Sequence, residues 1–555
     1  MQPDQILSLP SDAMKSRYDA IIIGSGYGAG VAAARLAQAG KSVAVLERGR
    51  EIPTGQFPTT VKEGARNFQA DTPLGHIGAR DALFDLRAHA DISVMVGCGL
   101  GGTSLINGNV MLEPEERVFE DPKWPSQLQQ DRSTGLAEGY NKARSVLRPV
   151  SYPGTPELAK FAALETSAAR LGTEASYPPI NVTFDDQAGL NAAGVNQPAC
   201  TLCGDCCSGC NVGAKNTIAL TYLPLAHSAG AEIFTLCKAQ RIEKGTGGAK
   251  WDVTLEDISE QGDGAIKRIS ADIVVSGAGT LGSTEVLLRS AKAGLELSDM
   301  VGQNFGGNGD VIAFGYNNDV PINGIGVGAD PTRSKDPVGP VIAGLIDLRK
   351  AGPLNENIVI QEGAIPSLLA PILPAVYSAS SPFFGKDTDR GDFLAESKRT
   401  LESLAHGAYR GAANNTQTYL VMAHDGGDGN IALDDEKLAL HWPDAGKKPV
   451  FERIDAALRE ATSAVGGTYL PNPMWSDILG KNLISVHPLG GCVMGNTHEH
   501  GAVDHRCRVF DGAGSVHEGL YVMDGSVVPR SLGVNPALTI TALAERAMAL
   551  MIEEF

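Results

Sequence analysis

A short segment in the middle of the chain is dense in cysteine. Cys200, Cys203, Cys206 and Cys210 have the spacing of a bacterial ferredoxin cluster motif, and Cys207 adds a fifth thiol. Thiolates at this spacing can converge on iron, so the segment is a candidate ligand set for an iron–sulfur cluster, either [4Fe–4S] or [3Fe–4S]. Cys207 is an alternative ligand. Structural thiols and a zinc site built from two C-x-x-C pairs are the other interpretations.

A glycine turn near the N-terminus could hold a dinucleotide. The apolar run Ile21–Ile23 leads into Gly24, which permits a sharp turn, and Gly26, which lets a pyrophosphate approach the backbone. Ala29 fills the third motif position, and Glu47 lies where an acid can hold a ribose hydroxyl and disfavour NADP. The motif does not choose between FAD and NAD. The predicted contacts are Gly24, Gly26, Tyr27, Gly28, Ala29 and Glu47.

A second glycine-dense stretch, residues 97–109, lies beside apolar residues and is a poor match for a surface linker. Its backbone could lie flat against a planar or phosphate-bearing ligand, with Asn107 as the natural polar contact. An ordinary glycine-rich turn is the alternative. The predicted contacts are Gly97, Gly101, Gly102, Ser104, Asn107 and Gly108.

The hydrophobic pattern predicts the strands and the helix that would position these glycine motifs. Residues 18–23, 31–37 and 41–47 are expected to form a strand, a helix and a second strand, a β-α-β unit. Residues 271–283 repeat the strand–glycine–helix pattern, but no acid-terminated strand follows. We therefore expect another strand of the same sheet, with a second nucleotide site as the alternative.

The middle of the chain has a different character. Residues 113–197 are predicted to be mainly helical, with amphipathic helices at 133–147 and 157–171. Alternating segments such as 357–361 and 418–423 predict an antiparallel sheet with covering helices.

The apolar segment Ala364–Tyr377 contains Pro366, Pro371 and Pro374 and cannot be one regular helix. It is predicted to be either a buried loop or a lid over an apolar pocket.

Composition narrows the class of protein. The chain has 555 residues, which is long enough for two or more domains, and a net charge of −18, which argues against nucleic acid as a partner. No apolar run is long enough to predict a transmembrane segment, and no secretion signal is visible. The nine cysteines suit a reducing compartment or a metal site, so we expect a cytoplasmic protein.

Taken together, the motifs resemble the glucose-methanol-choline (GMC) family of flavin oxidoreductases, and most closely its cholesterol-oxidase branch. The resemblance rests on the order of motifs at both ends of the chain and between them. These motifs are Gly24–Gly30 with Glu47, Gly97–Asn109, Gly302–Phe305, Asn308–Asp310, His487–Gly491, Asp524–Ser526 and Gly533–Pro536.

The resemblance implies an α/β fold with a discontinuous Rossmann-type FAD-binding domain, formed by residues 1–115, 200–310 and 477–555. Residues 116–199 and 311–476 would form an α+β substrate domain on a largely antiparallel sheet that roofs the flavin. Further FAD contacts are implied at Asp524, Gly525, Asn535 and Pro536.

The implied reaction is FAD-dependent oxidation of an alcohol to a ketone or aldehyde, with hydride transfer to flavin N5. Histidine is the natural base for the hydroxyl proton, and His487 matches the family base. Asn535 matches the second residue of the family pair, and its amide can orient a hydroxyl but cannot take the proton. Glu362 is a further catalytic candidate, because steroid-oxidising relatives use a glutamate near the substrate. A paired structural glutamate is the alternative.

The expected substrate is a sterol or another bulky alcohol, with oxygen or an electron-acceptor protein or quinone receiving the electrons. One alternative is a sugar or amino-sugar dehydrogenase that passes electrons through an iron–sulfur cluster at Cys200–Cys210. A non-catalytic, flavin-binding electron carrier is an alternative of another class.

Overall fold

The structure is a computed structural model that describes residues 1–185, 189–349, 352–389, 392–476 and 480–555. Within these ranges the strands are β1 (Ser8–Leu9), β2 (Arg17–Ile23), β3 (Val43–Leu46), β4 (Phe68–Thr72), β5 (Gly75–Ile77), β6 (Phe84–Ala88), β7 (Ile92–Gly97), β8 (Val150–Ser151), β9 (Ala175–Ser176), β10 (Pro179–Ile180), β11 (Glu232–Phe234), β12 (Cys237–Lys244), β13 (Trp251–Asp257), β14 (Ala265–Ser276), β15 (Val311–Tyr316), β16 (Leu345–Asp347), β17 (Ile358–Gly363), β18 (Lys386–Asp387), β19 (Gln417–Ala423), β20 (Asn430–Asp434), β21 (Lys437–His441), β22 (Thr468–Leu470), β23 (Leu483–Ser485), β24 (Arg508–Phe510) and β25 (Val516–Val522).

The α-helices in the same ranges are α1 (Tyr27–Gln38), α2 (Val61–Arg66), α3 (Ser126–Gln130), α4 (Ala137–Leu147), α5 (Ala159–Arg170), α6 (Tyr222–Ser228), α7 (Gly279–Lys292), α8 (Leu373–Phe384), α9 (Phe393–His406), α10 (Gly411–Asn414), α11 (Pro449–Ser463) and α12 (Ala537–Ile552). Helices α4 and α5 lie within the two predicted amphipathic segments. None of the helices in the described part of the chain is long and apolar enough to cross a bilayer.

The central sheet has a parallel part in the order β1-β11-β3-β2-β14-β25. Strand β2 pairs with one edge of β14. Along the other edge, the first part of β14 pairs with β13 and its last residues pair with β25. This sheet takes strands from the start, the middle and the end of the chain. The predicted β-α-β unit and the further strand before residue 276 are both present. The exact domain boundaries stay a prediction, and residue 477 lies outside the described residues.

Strand β2 and helix α1 form because their residues are apolar or small. Ala20, Ile21 and Ile22 have no exposed surface, since the sheet is covered on both faces. Helix α1 carries alanines at Ala29, Ala32, Ala33 and Ala34, which are also fully buried. Small side chains allow close approach, so the N-terminus of α1 is held against the end of the sheet.

A second sheet lies in the middle of the chain. It has the order β18-β22-β15-β19-β17-β16-β9, and all its pairings are antiparallel. Strands β17 and β19 match the predicted alternating segments. We call this the antiparallel sheet. A smaller sheet, in the order β23-β7-β6-β4-β5, adjoins the glycine-dense stretch that follows β7.

One prediction about the middle of the chain needs correction, and a second is confirmed in part. Residues 171–197 were expected to continue a mainly helical region, but its described part contains only short strands, β9 and β10. The segment Ala364–Tyr377 is broken as its prolines require, with α8 beginning at Leu373 and Pro374 in its first turn. Leu373 and Tyr377 are buried, whereas Ile372 and Val376 are exposed, so the segment is only partly a buried loop.

Candidate active site

A large cleft follows the carboxyl ends of the parallel strands, with about 1660 Å³ of empty space including its open mouth. Ligands of open α/β sheets bind at this edge. The segment Ala364–Tyr377 does not line the cleft, so its position gives no support to a lid. The cleft residues that were predicted from sequence are Gly24, Gly26, Tyr27, Gly28, Glu47, Gly97, Gly102, Asn107, Gly108, His487, Asp524, Gly525, Asn535 and Pro536.

In the first glycine turn, each glycine is required for a different reason. Gly24 has φ +94°, and a Cβ there would lie 2.5 Å from the carbonyl oxygen of Gly277. A Cβ on Gly28 would lie 1.9 Å from the Met523 carbonyl oxygen, so this glycine lets α1 approach β25. A Cβ on Gly26 would meet nothing within 4 Å, because this position faces the open cleft. Ala29 does not line the cleft and instead packs against Gly277.

Glu47 follows β3 and is nearly buried at the edge of the cleft. Its carboxylate accepts hydrogen bonds from the Ser25 hydroxyl at 2.5 Å and the Gly49 N–H at 2.7 Å. Burial raises the pKa of this carboxyl, and the two hydrogen bonds oppose that rise. Glu47 is therefore fixed in orientation where the nucleotide motif requires an acid.

The second glycine stretch is divided between cleft contacts and internal supports. Asn107 donates a hydrogen bond at 2.6 Å to the Tyr27 hydroxyl, which ties this stretch to the first turn. Ser104 donates to the Gly101 carbonyl at 2.6 Å and accepts from the Ile218 N–H at 3.0 Å. Ser104 and Gly101 do not line the cleft, so they brace the loop rather than contact a ligand.

The turn after β14 belongs to the same cleft. Gly277, Gly279 and Gly282 line it together with the first turn. This position supports the interpretation of residues 271–283 as another strand of one nucleotide sheet. The alternative of a separate second nucleotide site gains no support from the structure.

Asp524 lies in the turn after β25 and is held by two serines. Its carboxylate accepts hydrogen bonds from the Ser283 hydroxyl at 2.5 Å and from the Ser526 N–H at 2.8 Å. Burial raises the pKa of Asp524, and these hydrogen bonds oppose the rise. The carboxylate is therefore oriented at the cleft before any ligand binds.

His487 lies in the same cleft and is held by a carboxylate. Its Nδ1 atom is 2.8 Å from Oδ1 of Asp310. The other oxygen of Asp310 accepts hydrogen bonds from the backbone N–H groups of Val486 and His487 at 2.8 and 2.9 Å. A proton on Nδ1 is thereby favoured, which leaves the lone pair on Nε2 available to accept a proton.

Asn535 faces that available nitrogen. Its Nδ2 atom is 3.5 Å from Nε2 of His487, and its side-chain oxygen accepts a hydrogen bond at 2.6 Å from the Gln361 amide. Gln361 lies on β17 of the antiparallel sheet, so a residue of this sheet sets the orientation of the Asn535 amide.

Glu362, the next residue on β17, lies on the opposite face because side chains alternate along a strand. Its carboxylate pairs with the Lys160 ammonium at 2.7 Å and accepts N–H bonds from Ala343 and Gly344 at 2.8 Å. Both charged side chains are buried, and Glu362 does not line the cleft. The paired structural interpretation fits this position, and we leave Glu362 out of the catalytic set.

All nine cysteines of the chain are free thiols in the structure. The thiols of Cys200–Cys210 lie in an apolar cluster behind the second glycine stretch. Burial raises the pKa of Cys203 and of Cys207 to about 12, so both are neutral thiols unless a metal ion binds them.

Sequence reasoning missed two residues of this arrangement. Asp310 belongs to a motif that was recognised, but it received no role because its contact with His487 spans 177 residues of sequence. Gln361 belongs to no recognised motif, and the resemblance points to its neighbour Glu362. Strand alternation alone predicts that these two neighbours lie on opposite faces, but it does not indicate which of them faces the cleft.

Known proteins resemble this chain over most of its length. Sequence models of the GMC oxidoreductase family match residues 18–307 and 440–544, which is more than half of the chain. A cholesterol oxidase of Mycobacterium tuberculosis is 27% identical over 97% of this chain and 91% of its own length. A long-chain-alcohol oxidase of Arabidopsis thaliana is 25% identical over 95% of this chain and 66% of its own length.

Among solved structures, a fungal aryl-alcohol oxidase shares the fold with a TM-score of 0.57 and 17% identity, covering 98% of this chain and 100% of that one. The predicted family and fold class are thereby confirmed. The chain belongs to the GMC oxidoreductase family, whose members bind FAD and act on alcohols.

Proposed function

We propose that this protein oxidises a bulky, apolar alcohol to a ketone or aldehyde with FAD as cofactor and His487 as base. The observation that carries the proposal is the position of His487 Nε2, 3.5 Å from the Asn535 amide in the cleft that the nucleotide turn also lines. A nucleotide motif and a proton acceptor in one cleft are what this reaction requires.

The residues present fit FAD. Gly26 leaves space that a Cβ would fill, and the N-terminus of α1 follows it, so N–H groups and the helix dipole can receive a pyrophosphate. Glu47 would hold the ribose hydroxyls, and Asp524 would lie near the middle of the cofactor. Bound FAD supplies the hydride acceptor, atom N5 of its flavin ring.

His487 would take the hydroxyl proton. The carboxylate of Asp310 keeps the proton of the neutral ring on Nδ1, so that Nε2 is the atom that accepts. The same carboxylate also stabilises the positive charge that the ring acquires. Asp310 is thus a positioning residue that acts through His487.

Asn535 would orient the substrate oxygen. Gln361 donates to the Asn535 side-chain oxygen, so the Asn535 NH2 group points toward Nε2 of His487. A hydroxyl placed between the two could donate to the ring and accept from the amide. The amide cannot take a proton at neutral pH, so the base role falls to His487 alone.

Apolar residues flank Gln361 on the face of the antiparallel sheet that meets Asn535, which supports a bulky apolar substrate. In the register of the antiparallel sheet, Gln361 lies between Leu345 and Leu420, and opposite residues in a sheet share one face. The names of the relatives, a cholesterol oxidase and a long-chain-alcohol oxidase, support the same substrate class. A sterol is the first choice, and a sugar or amino-sugar hydroxyl is the runner-up.

The cysteines bear on the cellular compartment. All nine are unpaired, which supports a reducing compartment such as the cytoplasm as part of the proposal. The relatives are named oxidases, which supports oxygen as the electron acceptor. An electron-acceptor protein or a quinone is the alternative.

The test is a substrate panel with flavin-loaded protein. A sterol, a long-chain alcohol, an aromatic alcohol and a sugar are compared, and carbonyl product and peroxide are both measured. We expect the sterol or the long-chain alcohol to have the highest kcat/KM. A higher value for the sugar would favour the runner-up, and no turnover of any alcohol by flavin-loaded protein would favour the non-catalytic electron carrier.

A further inference from the structure

We propose that Cys200, Cys203, Cys206 and Cys210 bind a [4Fe–4S] cluster directly behind the cofactor cleft. The proposal rests on the convergence of these thiols and on two buried polar groups beside them. In the described residues, one is a lysine without a carboxylate partner and the other is an asparagine without a hydrogen-bond partner. The cluster site itself does not depend on the proposed alcohol oxidation.

The four thiols with ferredoxin spacing converge in the fold. All four pack on the same apolar cluster of the fold. They are also close enough for the charge of each thiolate to raise the pKa of its neighbours among the four. Cys207 interacts with Cys206 but with none of the other three. The fold therefore selects the four residues that the ferredoxin motif specifies and leaves the extra thiol aside.

The thiols are too far apart, as they stand, to share a single zinc ion. Among the residues that the structure describes, no three of these sulfur atoms lie within 4.8 Å of one another. Tetrahedral zinc would bring its sulfur ligands to about 3.8 Å from each other, given a zinc–sulfur distance of about 2.3 Å. A four-iron cluster is larger than one ion, and its cysteine ligands stand at separate corners and further apart.

Backbone N–H groups point at three of the sulfur atoms. Leu202 N–H donates to Sγ of Cys200 at 3.4 Å. The N–H of Asp205 is directed at the sulfur of Cys203, and that of Val341 at the sulfur of Cys206. Hydrogen bonds to the sulfurs are among the interactions by which proteins stabilise and tune iron–sulfur clusters.

A buried cation lies beside the thiols. The Lys215 ammonium is 1% exposed and donates to the carbonyl oxygens of Leu105, Asn107 and Cys206 at 3.2, 2.8 and 3.2 Å. These partners are neutral, and no carboxylate in the described ranges pairs with this ammonium. Burial of an unbalanced charge is costly, and four thiolates on a cluster would supply the missing negative charge.

Asn109 is a second buried polar group at the same place. Its side chain is fully buried and faces the Cys206 sulfur without a well-formed hydrogen bond, and neither its amide nitrogen nor its oxygen has a partner in the described part of the structure. Buried amides are almost always hydrogen-bonded. A cluster sulfur atom would accept the N–H of this amide.

The position of the site suggests its use. Asn109 lines the cofactor cleft and also faces Cys206, so a single residue separates the two sites. If the proposed alcohol oxidation holds, the alcohol loses two electrons and two protons. With the cluster present, the alternative acceptor to oxygen applies: the cluster would pass the electrons one at a time to an electron-carrier protein, which is reduced twice per turnover, and the protons would go to solvent.

The first test is iron and sulfide analysis of full-length protein purified without oxygen, with visible absorption and electron paramagnetic resonance before and after reduction. We expect about four iron and four sulfide per chain and a paramagnetic signal in the reduced protein. Iron that stays below one per chain, even after incubation with iron and sulfide under reducing conditions, would overturn the proposal. Stoichiometric zinc without iron, or a stable content of three iron, would overturn the four-iron assignment.

The second test is a matched pair of variants, Cys203→Ser and Cys207→Ser. We expect Cys203→Ser to lower iron content at least tenfold and Cys207→Ser to leave it within twofold of wild type. Equal iron loss in both variants would contradict the ligand set. FAD content reports whether each variant is folded. If Cys203→Ser does not fold, the wild-type analysis still decides the proposal.

These outcomes are independent of the proposed function. Iron content and the paramagnetic signal do not require alcohol turnover, so a protein that oxidises alcohols without iron would overturn only the cluster. A protein with four iron per chain that oxidises no alcohol would leave the cluster site standing and reject the catalytic proposal.

Discussion

Asp310 and Glu362 are buried carboxylates attached to the same antiparallel sheet, and they have opposite surroundings. Asp310 immediately precedes β15 and contacts His487 and the backbone of its loop, at the cofactor cleft. Glu362 lies within β17 and pairs with Lys160 on the far face of the sheet. One carboxylate orients a titratable ring that a substrate can reach, whereas the other neutralises a lysine in the core.

The difference shows that burial of an acid does not indicate its role. Both carboxylates accept several hydrogen bonds, so neither is left unsatisfied. What separates them is the partner and the face of the sheet. One position along β17 is enough to change the face, since Gln361 contacts Asn535 and Glu362 does not.

The largest expected effect on turnover is that of His487→Ala. Loss of the base should lower kcat by about 10²–10⁴-fold. FAD should be retained, because the glycine turns and Asp524 are untouched. Steady-state kinetics with flavin quantified on the same sample measures both effects. Retained turnover in the loaded variant would refute the base assignment.

Asp310→Asn should have the second largest effect on turnover, with kcat lowered by about 10–100-fold. An amide in place of the carboxylate can donate to Nδ1 of His487, which would put the ring proton on Nε2 and block proton acceptance. Asp310→Ala removes that donor and serves as the comparison. If both variants keep wild-type kcat, Asp310 has no positioning role.

Gln361→Ala should have a smaller effect, lowering kcat by about fivefold through loss of the two hydrogen bonds between Gln361 and Asn535. KM should change little, because the amide orients the substrate oxygen without supplying most of the binding area. Gln361→Glu keeps the shape of the side chain but replaces its amide donor and is the matched control. An unchanged kcat in both variants would show that Gln361 of β17 has no role in orienting Asn535 for catalysis.

Glu362→Gln should have the smallest effect on turnover, with kcat of the folded protein within about twofold of wild type. Its stability should fall by about 3–5 kcal/mol, because Lys160 is left buried without its counter-charge. The double variant Lys160→Met/Glu362→Leu should recover most of this loss. Denaturant unfolding measures stability, and a kcat loss as large as that of Asp310→Asn would return Glu362 to the catalytic set.

The nucleotide half of the site could be predicted from the sequence, because its spacing is local. Gly24, Gly26 and Glu47 lie within one β-α-β unit, so their positions follow from the pattern of strand, turn and helix. The same pattern could not tell that Ser104 and Gly101 brace their loop from within. That distinction depends on Ile218, which lies far along the chain.

The catalytic half was predicted only by resemblance, because its contacts join distant segments. His487, Asp310, Asn535 and Gln361 come from separate segments of the chain and meet only once the two large sheets pack together. The cysteine motif could be predicted from the sequence only in part. Its spacing named four thiols, and the fold was needed to set Cys207 apart and to bring Lys215 and Asn109 beside them.

The most direct test of alcohol oxidation in this cleft is anaerobic mixing of flavin-loaded wild-type protein with a sterol or a long-chain alcohol, with the flavin absorption followed over time. We predict that the flavin band bleaches and that at least one carbonyl product forms per flavin. A flavin that stays oxidised with every alcohol tested, in protein with full cofactor content, would contradict the account.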